Sequence, residues 1–324
     1  MVATPSARPL WRDAALHFAR ISLVLGALVL QVVARSGAPP YFFVLAVAVS
    51  LAAVYVTVRA GGSFRVWAVY VLAFALFAYL RTLADDTGNP ARFGYVITLE
   101  KTLFMGSVPT IWLQEHLYAA GKVRALEVSS IVVYSSYFLV PHLMALAVWR
   151  LDPGRFRPYV VAILGTFYAC LAVSYVVPTA PPWKAGLVGD LPHVFRIIRD
   201  ISGGVSPDGY RRAYEIAGPN DVAAMPSLHM AIPLITAFMA WRLHPVAGAV
   251  AFFYVAAMAF ALVYLGEHYV VDLLAGLLVA FVVWKLVWWW WCRSREQREG
   301  LSQSHARGEA PGVKVRPSSA AGGW

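Results

Sequence analysis

Eight long apolar segments alternate with polar connections along the chain. They run over residues 16–34, 41–58, 64–80, 125–149, 158–178, 226–243, 245–265 and 268–291. Each is close to the ~20 residues that an α-helix needs to cross the hydrocarbon core of a bilayer. Several short connections carry Gly-Gly, Asp-Pro-Gly or His-Pro sequences, which are typical of turns. The pattern predicts an all-α, polytopic transmembrane helical bundle with about eight spans.

Two longer connections, residues 81–124 and 179–225, interrupt this alternation. The first contains a largely apolar stretch over residues 94–120. Three charged side chains break its apolar run: Glu100, Lys101 and Glu115. An apolar stretch interrupted in this way is typical of a helix that lies in the membrane interface rather than across the bilayer.

The chain therefore divides into three parts. Residues 1–124 are expected to form N-terminal transmembrane helices plus the interfacial segment. Residues 125–291 are expected to form the helical core that carries the candidate chemistry. Residues 292–324 are rich in charge, Ser, Gly and Pro, which predicts a disordered cytoplasmic tail.

Composition agrees with a membrane protein. Of the 324 residues, 60% are hydrophobic and 14% are charged, and the mean hydropathy is +0.62. A soluble domain would carry about 25% charged residues. The net charge of +10 would suggest nucleic acid as the partner of a soluble protein, but here the basic residues lie mostly between or beyond apolar spans. We therefore expect the lipid bilayer, and no nucleic acid, as the partner.

The basic residues also predict an orientation. With the N-terminus in the cytoplasm, five groups of arginines fall on the cytoplasmic side: Arg8 to Arg20, Arg59 and Arg65, Arg150 to Arg157, Arg242, and Arg293 to Arg298. This is the distribution that the positive-inside rule requires. It predicts a multi-pass protein of the plasma membrane, with both termini in the cytoplasm and the loop of residues 179–225 outside.

Three motifs fall at the outer ends of predicted spans, namely Val177–Trp183, Met225–His229 and Gly266–Asp272. Residues His268 and Asp272 are four apart on a helix and so share one face. An aspartate in that position can fix the tautomer of the imidazole and leave its other nitrogen free as a nucleophile. His229, on another helix, can give a proton to a leaving alkoxide. These parts suit phosphoryl transfer through a phosphohistidine.

Other interpretations of the same residues stay open at this point. The pair His268 and Asp272 can be a structural hydrogen bond. A metal site from His229, His268 and Asp272 fits by ligand type, but no further ligand is indicated, so no metal and no cofactor are expected. Ser227 can serve only as a helix-start residue beside Pro226.

The motifs resemble two signatures of the type 2 phosphatidic acid phosphatase superfamily. The matching sequences are Met225–His229 and Tyr264–Asp272. With Ala180–Trp183 added, the set is similar to the inositol phosphorylceramide synthase branch, whose members are inositolphosphotransferases. The resemblance covers residues 158–285. It implies a helical bundle with no metal, in which His268 is the nucleophile, Asp272 its orienting partner and His229 the general acid.

The resemblance also implies substrate-binding positions. The motif residues Trp183, Ser227 and Tyr269, with the neighbouring Lys184, are expected to contact the substrate. The loop arginines Arg196, Arg199, Arg211 and Arg212 are candidates to bind the phosphate. Of these, Arg211 and Arg212 are preferred, because Tyr210 and Tyr214 flank them and the loop leads into His229.

This chain departs from the broad phosphatase pattern at two places. Ala261 and Leu262 replace a Ser-Arg pair, and Leu191-Pro192 stands where an Arg-Pro pair would follow Lys184. Two phosphate-binding arginines are therefore missing. A phosphomonoester carries nearly two negative charges and a phosphodiester carries one, so fewer cations suit the diester better.

The expected function is a lipid phosphotransferase that acts through a phosphohistidine. It would move a phospho-head group, such as phosphoinositol, from a membrane lipid to a lipid or polyol acceptor. A second reading uses the same residues with water as the acceptor, which gives a phosphatase for phosphatidic acid or a polyprenyl phosphate. A third, non-enzymatic reading is a membrane transporter, which would place polar groups at the bilayer midplane.

Overall fold

A computed structural model describes residues 62–83, 91–211 and 224–306, together with Leu23. Its named helices are α1 Gly62–Leu83, α2 Gly94–Leu103, α3 Pro109–Leu117, α4 Ala125–Ser136, α5 Val140–Leu151, α6 Pro153–Val176, α7 Pro182–Val188, α8 Ile197–Val205, α9 Leu228–Leu243, α10 Pro245–Tyr264 and α11 Val270–Ala306. Within the described ranges the only β-type pairing is an isolated bridge between Arg92 and Thr179. The prediction of an all-α membrane bundle is confirmed.

Four helices are long and apolar enough to cross a membrane, namely α1, α6, α10 and α11. Helices α4 and α5 together make a fifth candidate, bent by 52° at the break between them. Helix α9 is apolar but has only 16 residues. The predicted segments 16–34 and 41–58 lie outside the described residues. The described part of the chain thus carries four or five candidate spans, and the predicted count of eight is not confirmed.

Turn residues end and start these helices where the sequence predicts. The carboxylate of Asp152 accepts a hydrogen bond from the backbone N–H of Arg155 (3.2 Å) at the start of α6. The Nδ1 atom of His244 accepts one from the backbone N–H of Val246 (3.2 Å) at the start of α10. Such side-chain caps satisfy backbone donors that the first helical turn leaves free.

Helix α9 lies at the centre of the bundle. It packs against α5, α6, α10 and α11, and its residues Ile232, Ile235 and Met239 are fully buried. A helix that is apolar on all sides is typically buried in a core or spans a membrane. Helix α9 is surrounded by four other helices of the bundle.

The two ends of the bundle differ in character. At one end, arginines lie over tryptophans: the Cζ atom of Arg242 is 3.9 Å from the ring centre of Trp288, and that of Arg157 is 5.6 Å from Trp290. Arg155 donates a hydrogen bond to the carbonyl of Arg242 (2.6 Å). The predicted motifs lie at the opposite end, where α6 and α10 finish and α9 and α11 begin.

Two short helices, α2 and α3, replace the expected interfacial helix. They have 10 and 9 residues, too few to cross a bilayer. Helix α2 packs against α11 and α3 packs against α10. Lys101 is exposed, whereas Glu100 is fully buried and Gln114 is nearly so. Polar side chains on these helices therefore point into the protein.

Helix α11 extends beyond its predicted end. It continues to Ala306, through residues for which the sequence predicts disorder. Arg295 and Glu299 form an ion pair of 3.4 Å across one helical turn there. Pairs four residues apart support an exposed helix by a few tenths of a kcal/mol each.

Candidate active site

The three predicted motifs meet at one end of the bundle. The backbone N–H of Ser227 donates to the carbonyl of Asp272 (3.0 Å), and that of Trp183 donates to the carbonyl of Gly266 (3.2 Å). The backbone N–H of Ala224 donates to the carbonyl of Thr179 (2.9 Å). Main-chain hydrogen bonds thus join the end of α6, the start of α9 and the start of α11.

Two glycines allow this close approach. A Cβ atom on Gly276 in α11 would lie 2.4 Å from the carbonyl oxygen of Ser227, so only glycine permits the contact between α9 and α11. Gly266 has a φ of +80°, and its Cβ would lie 2.7 Å from the carbonyl oxygen of Phe195. Glycine adopts that left-handed conformation without the steric cost that other residues incur.

His268 and Asp272 face each other at the start of α11. The Nδ1 atom of His268 lies 3.5 Å from Oδ2 of Asp272. Oδ2 also accepts a hydrogen bond from the backbone N–H of Tyr269 (3.0 Å). Asp272 is fully buried, and His268 is 7% exposed. The aspartate is therefore anchored by the helix start and directed at one nitrogen of the imidazole. Such contacts are often long in an empty site and shorten when a substrate binds.

His229 lies between aromatic rings and His268. Its ring centre is 4.8 Å from that of Tyr134 in a stacked arrangement and 4.2 Å from that of Tyr137. The ring centres of His229 and His268 are 5.7 Å apart. The two histidines are thus close enough to contact one group of phosphate size. Tyr134 and Tyr137 were not predicted; their only signal was the presence of tyrosines within an apolar span.

Buried polar atoms without a partner are concentrated here. Among the described residues, the buried atoms that lack a hydrogen-bond partner include Glu100 Oε2, Trp183 Nε1, Ser227 Oγ, His229 Nε2, His268 Nδ1, Tyr269 OH and Asp272 Oδ1. Native proteins contain few such groups, and each costs about 1–3 kcal/mol. A cluster of them at one place is typical of a site that binds a polar ligand.

The guanidinium of Arg196 contacts the residue that precedes His268. The guanidinium of Arg196 donates from Nε to Oε1 of Glu267 (2.9 Å), and its Cζ atom lies 4.2 Å from the ring centre of Trp183. Glu267 precedes His268 in the chain. Stacking and ion pairing together hold the planar guanidinium in one orientation. The sequence names Arg196 only as one of four loop candidates.

Of the two preferred loop arginines, the structure describes only Arg211. Arg211 is exposed and forms an ion pair with Asp208 (3.2 Å), and Arg212 lies outside the described residues. Lys184 is half-buried in α7. Ser227 and Tyr269 are fully buried.

Three buried polar residues near the site come from α2, α3 and α4. Glu100 accepts a hydrogen bond from the backbone N–H of Val271 (2.8 Å). The pKa of Glu100 is raised to about 7, mainly because the carboxyl group is buried. Gln114 donates to the carbonyl of Tyr264 (3.0 Å), and Glu127 accepts from the Tyr264 hydroxyl (2.7 Å). Sequence reasoning noted Glu100 only as an interruption of an apolar run, which was the one available signal.

Metal ligation has little support in the described ranges. Residues 62–83, 91–211 and 224–306 contain no cluster of three or more His, Cys, Asp or Glu side chains placed to hold a metal ion.

Comparison with known proteins adds two findings. Residues 95–286 match the family described as the PAP2 superfamily. The chain is also similar to a phosphoinositol dihydroceramide synthase of Bacteroides thetaiotaomicron, with 25% identity over 264 residues that cover 72% of this chain and 81% of that protein. No solved structure matches the chain.

Proposed function

Because the chain belongs to the PAP2 superfamily, we propose that it is a membrane lipid phosphotransferase that works through a covalent intermediate on His268. The donor is a phosphodiester lipid such as a phosphoinositol lipid, and the acceptor is a lipid or polyol hydroxyl. The observation that supports this most is the histidine pair, with ring centres 5.7 Å apart and Asp272 directed at His268.

The first half of the reaction forms the intermediate. Nδ1 of His268 faces Asp272, so Nε2 is the nitrogen that attacks the phosphorus. A P–N bond forms as the bond between phosphorus and the oxygen of the donor's alcohol breaks. His229 gives its proton to that oxygen, and the neutral alcohol leaves. Asp272 stabilises the positive charge that develops on His268, as in other base–carboxylate pairs.

The second half resolves the intermediate. The acceptor hydroxyl gives its proton to His229, and its oxygen attacks the phosphorus. The P–N bond breaks, and the electron pair returns to His268. His229 is then protonated again for the next cycle. Catalysis of this kind relies mainly on the placement of the reacting groups, because good orientation can lower the activation barrier by roughly 7–11 kcal/mol.

The charge of the site favours a diester. We assign the phosphate-binding role to Arg196, which contacts Trp183 and Glu267, the residue before His268. Glu267 already offsets much of its charge. A partly neutralised cation such as Arg196 suits the single charge of a phosphodiester better than the two charges of a monoester. Similarity to the Bacteroides protein named a phosphoinositol dihydroceramide synthase supports phosphoinositol as the transferred group.

A cavity beside the first motif suits a lipid head group. Its volume is about 600 Å³, and it is lined by Arg92, Phe93, Gly94, Tyr95, Val176 and Val177. The hydroxyl of Tyr95 is hydrogen-bonded to that of Thr179, just before the Ala180–Trp183 motif. We assign this cavity to the entry of a lipid substrate, because it combines apolar walls with a cation at the start of α2.

The arginines and tryptophans at the far end of the bundle support the orientation. Tryptophan is frequent at membrane interfaces, and arginine is frequent on the cytoplasmic side. We propose that this end faces the cytoplasm of a plasma membrane protein, together with both termini. The active site then faces the extracytoplasmic side.

The test is a transfer assay with the purified protein in detergent. Labelled phosphatidylinositol and labelled phosphatidic acid are each incubated with and without a ceramide-like acceptor. His268→Ala is the inactive variant, and His116→Ala, which changes an exposed histidine on α3, is the matched control. Transfer of labelled head group to the acceptor by wild type and His116→Ala, but not by His268→Ala, is the expected result.

The other outcomes identify the alternatives. Free phosphate from phosphatidic acid without transfer would mean a phosphatase, and the charge argument would be wrong. Turnover of neither lipid, in a protein that is folded, would favour the non-enzymatic reading.

A further inference from the structure

Three buried polar side chains reach the same short segment. The segment is Tyr264–Asp272, which carries His268 and Asp272 and is called the catalytic segment below. Glu100 in α2, Gln114 in α3 and Glu127 in α4 each make a hydrogen bond to it. Glu100 and Glu127 are fully buried, and Gln114 is 5% exposed.

Glu100 holds the start of α11. Its Oε1 atom accepts the backbone N–H of Val271 (2.8 Å), one residue before Asp272. Asp272 in turn accepts the backbone N–H of Tyr269. Donors in the first turn of a helix have no partner within the helix, and carboxylates there are favoured by the helix dipole. Two carboxylates from distant parts of the chain therefore fix this turn.

Gln114 holds the other end of the catalytic segment. Its Nε2 atom donates to the carbonyl oxygens of Phe195 (2.9 Å) and Tyr264 (3.0 Å). Its Oε1 atom accepts the backbone N–H of Phe195 (2.9 Å). One amide group therefore connects Phe195, just before Arg196, to Tyr264 at the end of α10.

Glu127 completes the set. Its Oε1 atom accepts the hydroxyl of Tyr264 (2.7 Å) and pairs with Arg124 (2.7 Å). The Tyr264 side chain, at the end of α10, is thus held by α4. Tyr134, in the same helix, and Tyr137, just after it, pack against His229, so this region of the chain contacts both the catalytic segment and His229.

These contacts contribute little net free energy to the stability of the fold. Burial of a polar or charged side chain costs free energy that its hydrogen bonds only partly offset. What directional hydrogen bonds add is a fixed geometry, which apolar packing does not provide. All three side chains direct that geometry to one segment of nine residues.

We propose that Glu100, Gln114 and Glu127 are positioning residues, which hold the catalytic segment so that His268 faces His229. None of them contacts the reacting atoms in this scheme. The kinetic test of this inference rests on the proposed function, whereas the test by deuterium exchange does not. It makes α2 and α3, which the sequence places in the N-terminal part of the chain, members of the catalytic unit together with α4.

The test compares four variants. Glu100→Ala removes the acceptor for Val271, whereas Glu100→Gln keeps an oxygen there without the charge. Gln114→Glu has the same shape, but puts a carboxylate oxygen against two carbonyl oxygens. Glu115→Gln changes the exposed neighbour of Gln114 and is the matched control. The measurements are kcat, KM for the donor lipid, and deuterium exchange of the peptide that spans Tyr264–Asp272.

Misplacement should act on turnover and not on donor binding. Glu100→Ala and Gln114→Glu are expected to lower kcat by at least tenfold with KM within about twofold, since a shift of about 1 Å can cost 100-fold. Deuterium exchange of the catalytic segment should rise in both. Glu100→Gln should recover most of the activity that Glu100→Ala loses, and Glu115→Gln should match wild type.

Several results would overturn the inference. A Glu100→Gln protein as inactive as Glu100→Ala would mean that the charge takes part in the chemistry. If kcat and deuterium exchange were unchanged in Glu100→Ala and Gln114→Glu, the catalytic segment would keep its conformation without these hydrogen bonds. Should Glu100→Ala not fold, the isosteric Gln114→Glu decides. If wild type hydrolyses lipid phosphate but transfers nothing, the proposed function fails, and hydrolysis rates with the exchange data still decide this inference.

Discussion

Gly276→Ala should separate the two histidines without touching either. Gly276 lies one turn after Asp272 in α11 and faces the start of α9. A Cβ atom there would lie 2.4 Å from the carbonyl oxygen of Ser227 and 3.2 Å from its carbonyl carbon. That carbonyl accepts the backbone N–H groups of Met230 and Ala231 in the first turn of α9. The turn that carries His229 therefore has to move.

The magnitude follows from the overlap. Ordinary contacts between such atoms are about 3.5 Å or longer, so the two backbones must part by about 1 Å. A displacement of that size in a positioned catalytic group costs roughly 100-fold in rate, which is about 2.7 kcal/mol in the barrier. The hydrogen bond from the Ser227 N–H to the Asp272 carbonyl should weaken as well, because the same separation stretches it.

The assay is kcat for head-group transfer, with the melting temperature measured beside it. Gly248→Ala is the matched control, because its Cβ atom would lie 2.5 Å from Cα of Trp241, a clash of similar size at the opposite end of the bundle. It should lower the melting temperature and leave kcat within a fewfold of wild type. A folded Gly276→Ala protein with wild-type kcat would refute the reasoning, and so would equal losses of kcat in the two variants.

Three further predictions follow from the site. Asp272→Asn should lower kcat by 10²–10⁴-fold, measured with saturating donor, because the amide no longer favours the working tautomer of His268. Arg196→Lys should raise KM for the donor by about tenfold, because an ammonium cannot both stack on Trp183 and pair with Glu267 as a guanidinium does. The raised pKa of Glu100 means that the folded state binds the carboxyl proton of Glu100 more tightly than the unfolded chain does. Stability should therefore fall as pH rises from about 4.5 to 7, by up to about 3 kcal/mol relative to Glu100→Gln, as melting curves across that range can show; a constant difference between the two proteins would contradict it.

The convergence of the motifs could be predicted from the sequence. His268 and Asp272 are one helical turn apart, and the alternation of spans brings the end of α6 to the same side as the starts of α9 and α11. Both inferences use only the period of a helix and the thickness of a bilayer. They need no knowledge of which helices are neighbours.

The supporting contacts could not be predicted in this way. Glu100 meets Val271 across 171 residues of chain, and nothing in the local sequence of either residue names the other. Charge in an apolar stretch fits a helix at the membrane interface as well as a buried carboxylate. Only the packing of α2 against α11 decides between them.

The preference for Arg211 and Arg212 as phosphate-binding residues stays a prediction, and the structure adds a contact of Arg196 that the sequence does not indicate. Flanking tyrosines and nearness in sequence to His229 favoured Arg211. In the structure it is exposed beside Asp208, while Arg196 lies against Trp183 and Glu267. The cation–π contact joins Trp183 in α7 to Arg196 just before α8, so the sequence alone carries no sign of it.

The bend between α4 and α5 was also outside sequence reasoning. Residues 125–149 have the length and hydropathy of one span, yet the helix breaks between Ser136 and Val140 with a bend of 52°. Pro141 cannot donate a backbone hydrogen bond to the preceding turn, which favours a break there. Apolar length alone does not detect it.

The central claim is a covalent intermediate on His268, and mass analysis of that residue tests it most directly. The protein is mixed with a phosphoinositol lipid without acceptor, and the reaction is quenched. The mass of the peptide that contains His268 is then measured. The account predicts added mass equal to the phospho-head group, on that histidine, that disappears when acceptor is supplied before the quench. Acceptor-dependent transfer that continues in His268→Ala, with no adduct on the wild-type peptide, would contradict it.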